Sequence, residues 1–144
     1  MNAIKLALAG AALIVMSGCT AMTTLGATQS DVSISIQEKS LGKVPAKADL
    51  TTTTFGNFEF KAVRDNGNAL YGILPLKFNG GYLAMNILLF APASFFNLRE
   101  VYPLYEFDVD KGMIKYRVTE RESWTEVRPT PEEAARARKF YNVQ

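Results

Sequence analysis

The chain has 144 residues, with 16 Lys and Arg against 14 Asp and Glu, 48% hydrophobic residues, one cysteine and no histidine. That length supports one hydrophobic core, and the near balance of charge argues against nucleic acid or another polyanion as the main partner, since such partners are held by clustered cations. Without histidine and with a single thiol, the usual zinc sites and every Cys-His or Ser-His-Asp arrangement are excluded.

Met1 to Lys5 is a short head with one positive charge, Leu6 to Met16 is an uncharged apolar run, and the small residues Ser17 and Gly18 precede Cys19. Together they read as a secretion signal. At 1.5 Å per residue the run covers about 16 Å, short of the roughly 30 Å hydrocarbon core, which argues against an uncleaved span. The tetrapeptide Met16-Ser17-Gly18-Cys19 resembles the lipobox of bacterial lipoproteins, with Met16 where leucine is usual. The resemblance covers residues 1–19 only. It implies that residues 1–18 are a signal peptide, that the Cys19 sulfur is lipidated with a diacylglycerol, and that the new amino group carries a further fatty acid such as palmitate. It also implies a cell-envelope protein that meets the membrane through its anchor. Thr20, at the position where aspartate would favour the inner membrane, leans toward the outer membrane, facing the periplasm. The other reading of these residues is an ordinary signal peptide cleaved nearby, with Cys19 a stray thiol or an intermolecular disulfide partner.

Residues 19–30 read as a lipidated tether, because Thr20 to Ser30 is small, polar and without periodicity; as a flexible coil it would span roughly 20 Å. A single domain is expected over residues 31–144. Val32, Ile34 and Ile36 alternate with polar residues and predict a strand over 31–38. Residues 39–54 lack a core pattern and read as loop, with room for an edge strand toward the end. Phe58 to Val63 alternates again and runs into Asn66-Gly67, both tolerant of positive φ, which predicts a two-residue hairpin turn. That turn would set Phe60 opposite Ile73 and Ala62 opposite Tyr71, with Lys61 opposite Gly72 and Val63 opposite Leu70. Pro75 should end the second strand or place it on an edge.

Phe78 to Leu98 carries no charge. Gly80, Gly81, Asn86 and Pro92 make it a poor membrane span, and a short buried helix over 82–90, halted before Pro92, is expected. A segment lying on the membrane interface and a wall of an apolar pocket over 82–97 are the other readings. Tyr105 to Val118 predicts a second hairpin about Lys111-Gly112, pairing Val109 with Ile114, Phe107 with Tyr116, and Tyr105 with Val118 on one face. Asp108 with Lys115 and Glu106 with Arg117 fall on the other, exposed face. Residues 123–127 suggest one more strand, with Trp124 an anchor. Thr130-Pro131-Glu132-Glu133 fits a capped helix start, so a helix over 131–141 follows, acidic at its start and basic at its end. The expected fold is α+β: a small antiparallel sheet built from hairpins, packed by an apolar central helix and a C-terminal helix.

Little in this chain offers chemistry. Asp108 and Asp110, two apart on a predicted strand, could share a metal or a proton, but the surrounding segment departs from a calcium loop at its glycine, its third oxygen ligand and its closing glutamate, where Thr119 stands. Hairpin charge pairing accounts for both carboxylates. Glu120, Arg121, Glu122 and Glu126, with Arg117 and Arg128, read as a solvated belt. Arg136, Arg138 and Lys139 suit either anionic lipid phosphates or the helix dipole. Gly80-Gly81 lacks the Lys-Ser/Thr of a phosphate loop. The expectation is therefore a non-enzymatic lipoprotein, with no cofactor, no metal and no nucleic acid, that binds another envelope protein or supports an assembly. A carrier or sensor of a lipid or other apolar ligand is the alternative, and a hydrolase using only carboxylates is a third.

Overall fold

The computed structural model describes residues 20–51, 57–78 and 99–143. Its first element lies where the sequence suggests a tether: Thr20–Ala27 is a strand, β1. Thr23 and Leu25 are fully buried, and the Thr23 hydroxyl donates to the Tyr102 carbonyl at 2.7 Å. Ala21, Thr23, Leu25 and Ala27 share one face at period two. The alternation is masked in the sequence because threonine is polar by composition yet β-branched and well suited to a pleated surface.

The alternation of β2 (Val32–Ile36) is as expected, its three aliphatic side chains buried and its serines half-buried on the other face. Residues 39–54, read as loop with room for an edge strand toward the end, hold two strands, β3 (Lys39–Lys43) and β4 (Ala46–Thr51), and β4 is an edge strand as that reading allowed. β3 has no core pattern to display, whereas in β4 Ala46, Ala48 and Leu50 alternate with Lys47 and Asp49. β3 is exposed except at Leu41, and β4 buries only Ala48 and Leu50. Lysines at both ends of β3 suit a sheet edge, where they discourage pairing with another chain.

Both hairpins form with different registers from those expected. In the first, β5 (Glu59–Arg64) and β6 (Ala69–Ile73) pair Phe60 with Gly72 and Ala62 with Leu70, one residue away from the predicted register. The loop is three residues, Asp65 to Gly67, with Gly67 at φ 90° and Asn66 Oδ1 accepting from the Asn68 amide. A three-residue loop with a left-handed glycine competes with the two-residue turn for the same Asn-Gly pair. The slip turns Tyr71 and Ile73 to the face opposite Phe60. β6 ends ahead of Pro75, as expected.

In the second hairpin, β9 (Leu104–Asp108) and β10 (Met113–Arg117) pair Phe107 with Ile114, Tyr105 with Tyr116 and Glu106 with Lys115. The shift is two residues, so the apolar face survives while every partner changes. The loop is Val109 to Gly112, and the Asp108 carboxylate inside it accepts from the Lys111 amide at 3.1 Å. Asp108 is therefore buried in the turn rather than exposed opposite Lys115.

Two short strands, β7 (Leu76–Phe78) and β8 (Arg99–Val101), make a ribbon, and the helix expected over 82–90 lies outside the described residues. β11 (Thr125–Val127) is the weak last strand, and α1 (Pro131–Phe140) carries the expected capping box, with Thr130 Oγ1 accepting from the Glu133 amide and the Glu133 carboxylate from the Thr130 amide.

The strands form two main sheets rather than one. Their orders are β11-β10-β9-β1-β4 and β3-β2-β5-β6, with β7-β8 apart, and β1 runs parallel to β9 in an otherwise antiparallel set. The inner faces meet where Phe60 packs edge-on to Phe107, ring centroids 5.0 Å apart. α1 covers the outer face of the second sheet over β5 and β6. There Ala137 is buried, Arg136 Nε donates to the Glu59 carboxylate at 2.8 Å, and Tyr141 contacts Tyr71. The fold is thus mixed α+β, two packed sheets and a C-terminal helix.

Candidate functional site

Following the chain up β1 and down β2 defines two unlike ends. The distal end holds the β1–β2, β5–β6 and β9–β10 connections; the proximal end holds Thr20, the β2–β3 turn and the ribbon.

The distal end gathers the two candidate carboxylates with groups the sequence does not single out. Asp110, half-exposed, receives Arg64 Nη1 at 2.8 and 2.7 Å, and Arg64 Nε reaches both oxygens of Asp31 at 3.1 and 3.2 Å. Gln29 Nε2 donates to Asp108 at 3.0 Å and to Asp110 at 3.3 Å, while Gln29 Oε1 accepts from the Val109 amide. Asp108 Oδ2 makes no hydrogen bond and faces Lys111 Nζ at 3.6 Å. Arg64 extends from β5 of one sheet to the β9–β10 turn of the other, so the arrangement is a clamp between sheets. The hydrogen bonds from Arg64 hold the Asp31 carboxyl below its usual range. Burial works to raise Asp108, but the Gln29 amide, the Lys111 amide and the charges of Lys111 and Lys115 outweigh it and leave that carboxyl lowered as well. These carboxylates stay charged and bound to donors, which suits a fastener and not an acid or base. Among the described residues, no group of three or more Asp, Glu, His or Cys is placed to hold a metal ion.

Of the other charged candidates, the belt after β10 is built around a stack. The Arg117 guanidinium lies 4.1 Å from the Trp124 ring centroid, and its Nη1 donates to the Glu120 carbonyl at 2.8 Å. Glu122 accepts from the Val118 amide. Arg136 is committed to buried Glu59, and Arg138 lies over Tyr71, 5.6 Å from its centroid. Two of the three helix cations are therefore engaged in docking α1.

At the proximal end an open groove of about 460 Å³ runs between the sheets, with Ile36, Leu50, Phe58 and Phe140 as its apolar wall and Glu38, Lys39 and Asp49 at its rim. The Tyr141 hydroxyl beside it donates to the Ser35 and Glu59 carbonyls at 3.1 Å, and burial pushes its pKa up. The ribbon is secured here by Tyr105, whose buried hydroxyl accepts from the Tyr102 amide at 2.9 Å and donates to the Pro75 carbonyl at 2.5 Å. Cys19, the predicted lipidation site, lies outside the described residues, one position before β1. Composition offers no signal for the clamp or the groove, since Gln29 sits in the supposed tether and Phe140 in a helix read for its charges. No known family, no curated protein and no solved structure matches this chain.

Proposed function

We propose that the protein is a non-enzymatic, lipid-anchored lipoprotein of the cell envelope, held at the outer membrane facing the periplasm, whose domain serves as a structural or protein-interaction accessory. The observation that carries this reading is the position of β1. Cys19 adjoins Thr20, whose backbone is already paired with Thr51, so an acyl group on that sulfur would join the membrane to the sheet itself. Each buried CH₂ contributes about 0.8 kcal/mol, and two or more chains hold a protein durably.

An accessory role is favoured over a lipid carrier because, among the described residues, Phe60 packs on Phe107 between the sheets and the groove at the proximal end is open and edged with charge. In this reading the uncharged run from Phe78 to Leu98 supplies a short buried helix over 82–90. Metabolic labelling with a clickable fatty acid tests the anchor: the native protein takes the label and Cys19→Ser does not, and equal labelling of the two overturns the reading. Cross-linking in intact cells tests the role. Recurrent capture of one envelope protein is expected, whereas stoichiometric non-covalent lipid in the purified protein would favour the carrier.

A further inference from the structure

We infer that the proximal end of the sandwich is a membrane-contact surface, in which Met22, Phe78, Val118 and Phe140 form an apolar rim seated in the bilayer interface. This rests on the acylation of Cys19 proposed above. Among the described residues five large hydrophobic side chains are exposed: Met22 at 63%, Phe78 at 60%, Val118 and Phe140 at 40%, and Val127 at 37%. All but Val127 stand at the proximal end, although they come from four separate parts of the chain.

The topology fixes their placement. β1 starts at this end, and Met22 is its third residue. β6 descends to this end and β9 leaves it, so the ribbon between them, with Phe78 paired to Arg99 at its tip, lies here too. β10 runs antiparallel to β9 and delivers Val118 just past Arg117. Phe140 closes the groove with Ile36, Leu50 and Phe58. Scattered exposed hydrophobics need no explanation, but four collected on one end of a small domain do.

The occupant follows from where the chain enters. Met22 is two residues beyond Thr20, about 7 Å along a strand, and apolar side chains at an interface sink roughly 5–10 Å into the headgroup region. With no slack between an acylated Cys19 and β1, this end is brought against lipid whenever the anchor is inserted. Exposed charges of both signs stand at this end, Glu38, Lys39 and Asp49 at the groove and Arg121 in the β10–β11 connection, so attraction to anionic headgroups is not what seats it. The distal end, where the Arg64 clamp carries its charges, then points into the periplasm.

The test uses the full, acylated protein in vesicles of phosphatidylethanolamine and phosphatidylglycerol. Acylation consumes the only native thiol, so Phe78→Cys, Met22→Cys and Asp65→Cys each offer a single site for an NBD fluorophore. Floating the vesicles first shows whether the protein is anchored, and lipids spin-labelled in the headgroup region then report proximity. The expected result is quenching several-fold stronger at positions 78 and 22 than at distal position 65. Protein that does not float overturns the anchor and this inference together. Protein that floats with all three positions equally unquenched overturns the membrane contact alone. NBD emission shifted to the blue at 78 and 22 without quenching would mean that a protein, either a second copy or a partner, covers the rim, and that also overturns it.

Discussion

Arg64 shows how one side chain sets part of the pH behaviour of the distal end. It is only 22% exposed and, from the end of β5, links Asp31 in the β1–β2 connection to Asp110 in the β9–β10 turn. The carboxyls of Asp31 and Asp108 are lowered in the folded protein from the usual 3.8, so their contribution to stability is complete above that value and is lost as pH falls through the lower folded value. The melting temperature should therefore be level from pH 7 to about 5 and drop below about 4. Arg64→Met should lower it at neutral pH and flatten only the Asp31 part of the acid limb, since Asp108 is held by Gln29, Lys111 and Lys115. Arg64→Lys should recover only part of the loss, because an ammonium cannot span two carboxylates as a guanidinium fork does. At Gly72 the constraint is space. A Cβ there would come within 2.8 Å of Phe60 Cε1 and 2.7 Å of Pro129 Cγ, so Gly72→Ala should cost about 1–3 kcal/mol in a denaturant titration, an overpacking penalty. A neutral result would mean that Pro129 is free to withdraw.

Hairpins separate what a sequence specifies from what it leaves open. Period-two alternation assigns faces, and Tyr105, Phe107 and Ile114 lie inward as read while Val118, read on the same face, is exposed; register depends on loop length, which side chains in the loop decide. Asp108 looked like a cross-strand partner for Lys115 and is instead consumed by its own turn, leaving Lys115 to Glu106 at 2.9 Å. A double-mutant cycle should accordingly find coupling of about 0.2–1 kcal/mol between Glu106 and Lys115 and less between Asp108 and Lys115. The reverse order would restore the two-residue turn. Phe107→Asp should abolish cooperative melting, since it places an unpaired charge against Phe60 in the core. The C-terminal helix was legible almost in full, because its capping box and charge gradient are local and α1 uses both. Thr130→Ala should cost about 1 kcal/mol by the same titration, as the loss of one capping acceptor.

At the scale of the whole molecule, the double sheet was not legible, because it depends on β1, one of whose partners, β9, lies far along the chain. A run of Thr, Ala and Met with one Leu resembles a spacer until β9 comes alongside. The exposed apolar side chains of the proximal end were hidden for the same reason, the four being collected only by the topology. Deleting residues 20–25 should therefore unfold the domain, where deletion of a spacer would leave its circular dichroism and melting temperature unchanged. The pairing of β1 with β9 has a kinetic side too. The Thr23 hydroxyl and the Tyr102 carbonyl it binds are 79 residues apart in sequence. Closing so long a loop costs entropy before any contact returns it, and native contacts of this span slow folding. The first strand of the domain is thus left with an open edge until β9 has followed it. Over that interval the nascent domain depends on chaperones or on speed to avoid pairing with a neighbour, and a chain that stops short of β9 has no sheet centre to complete.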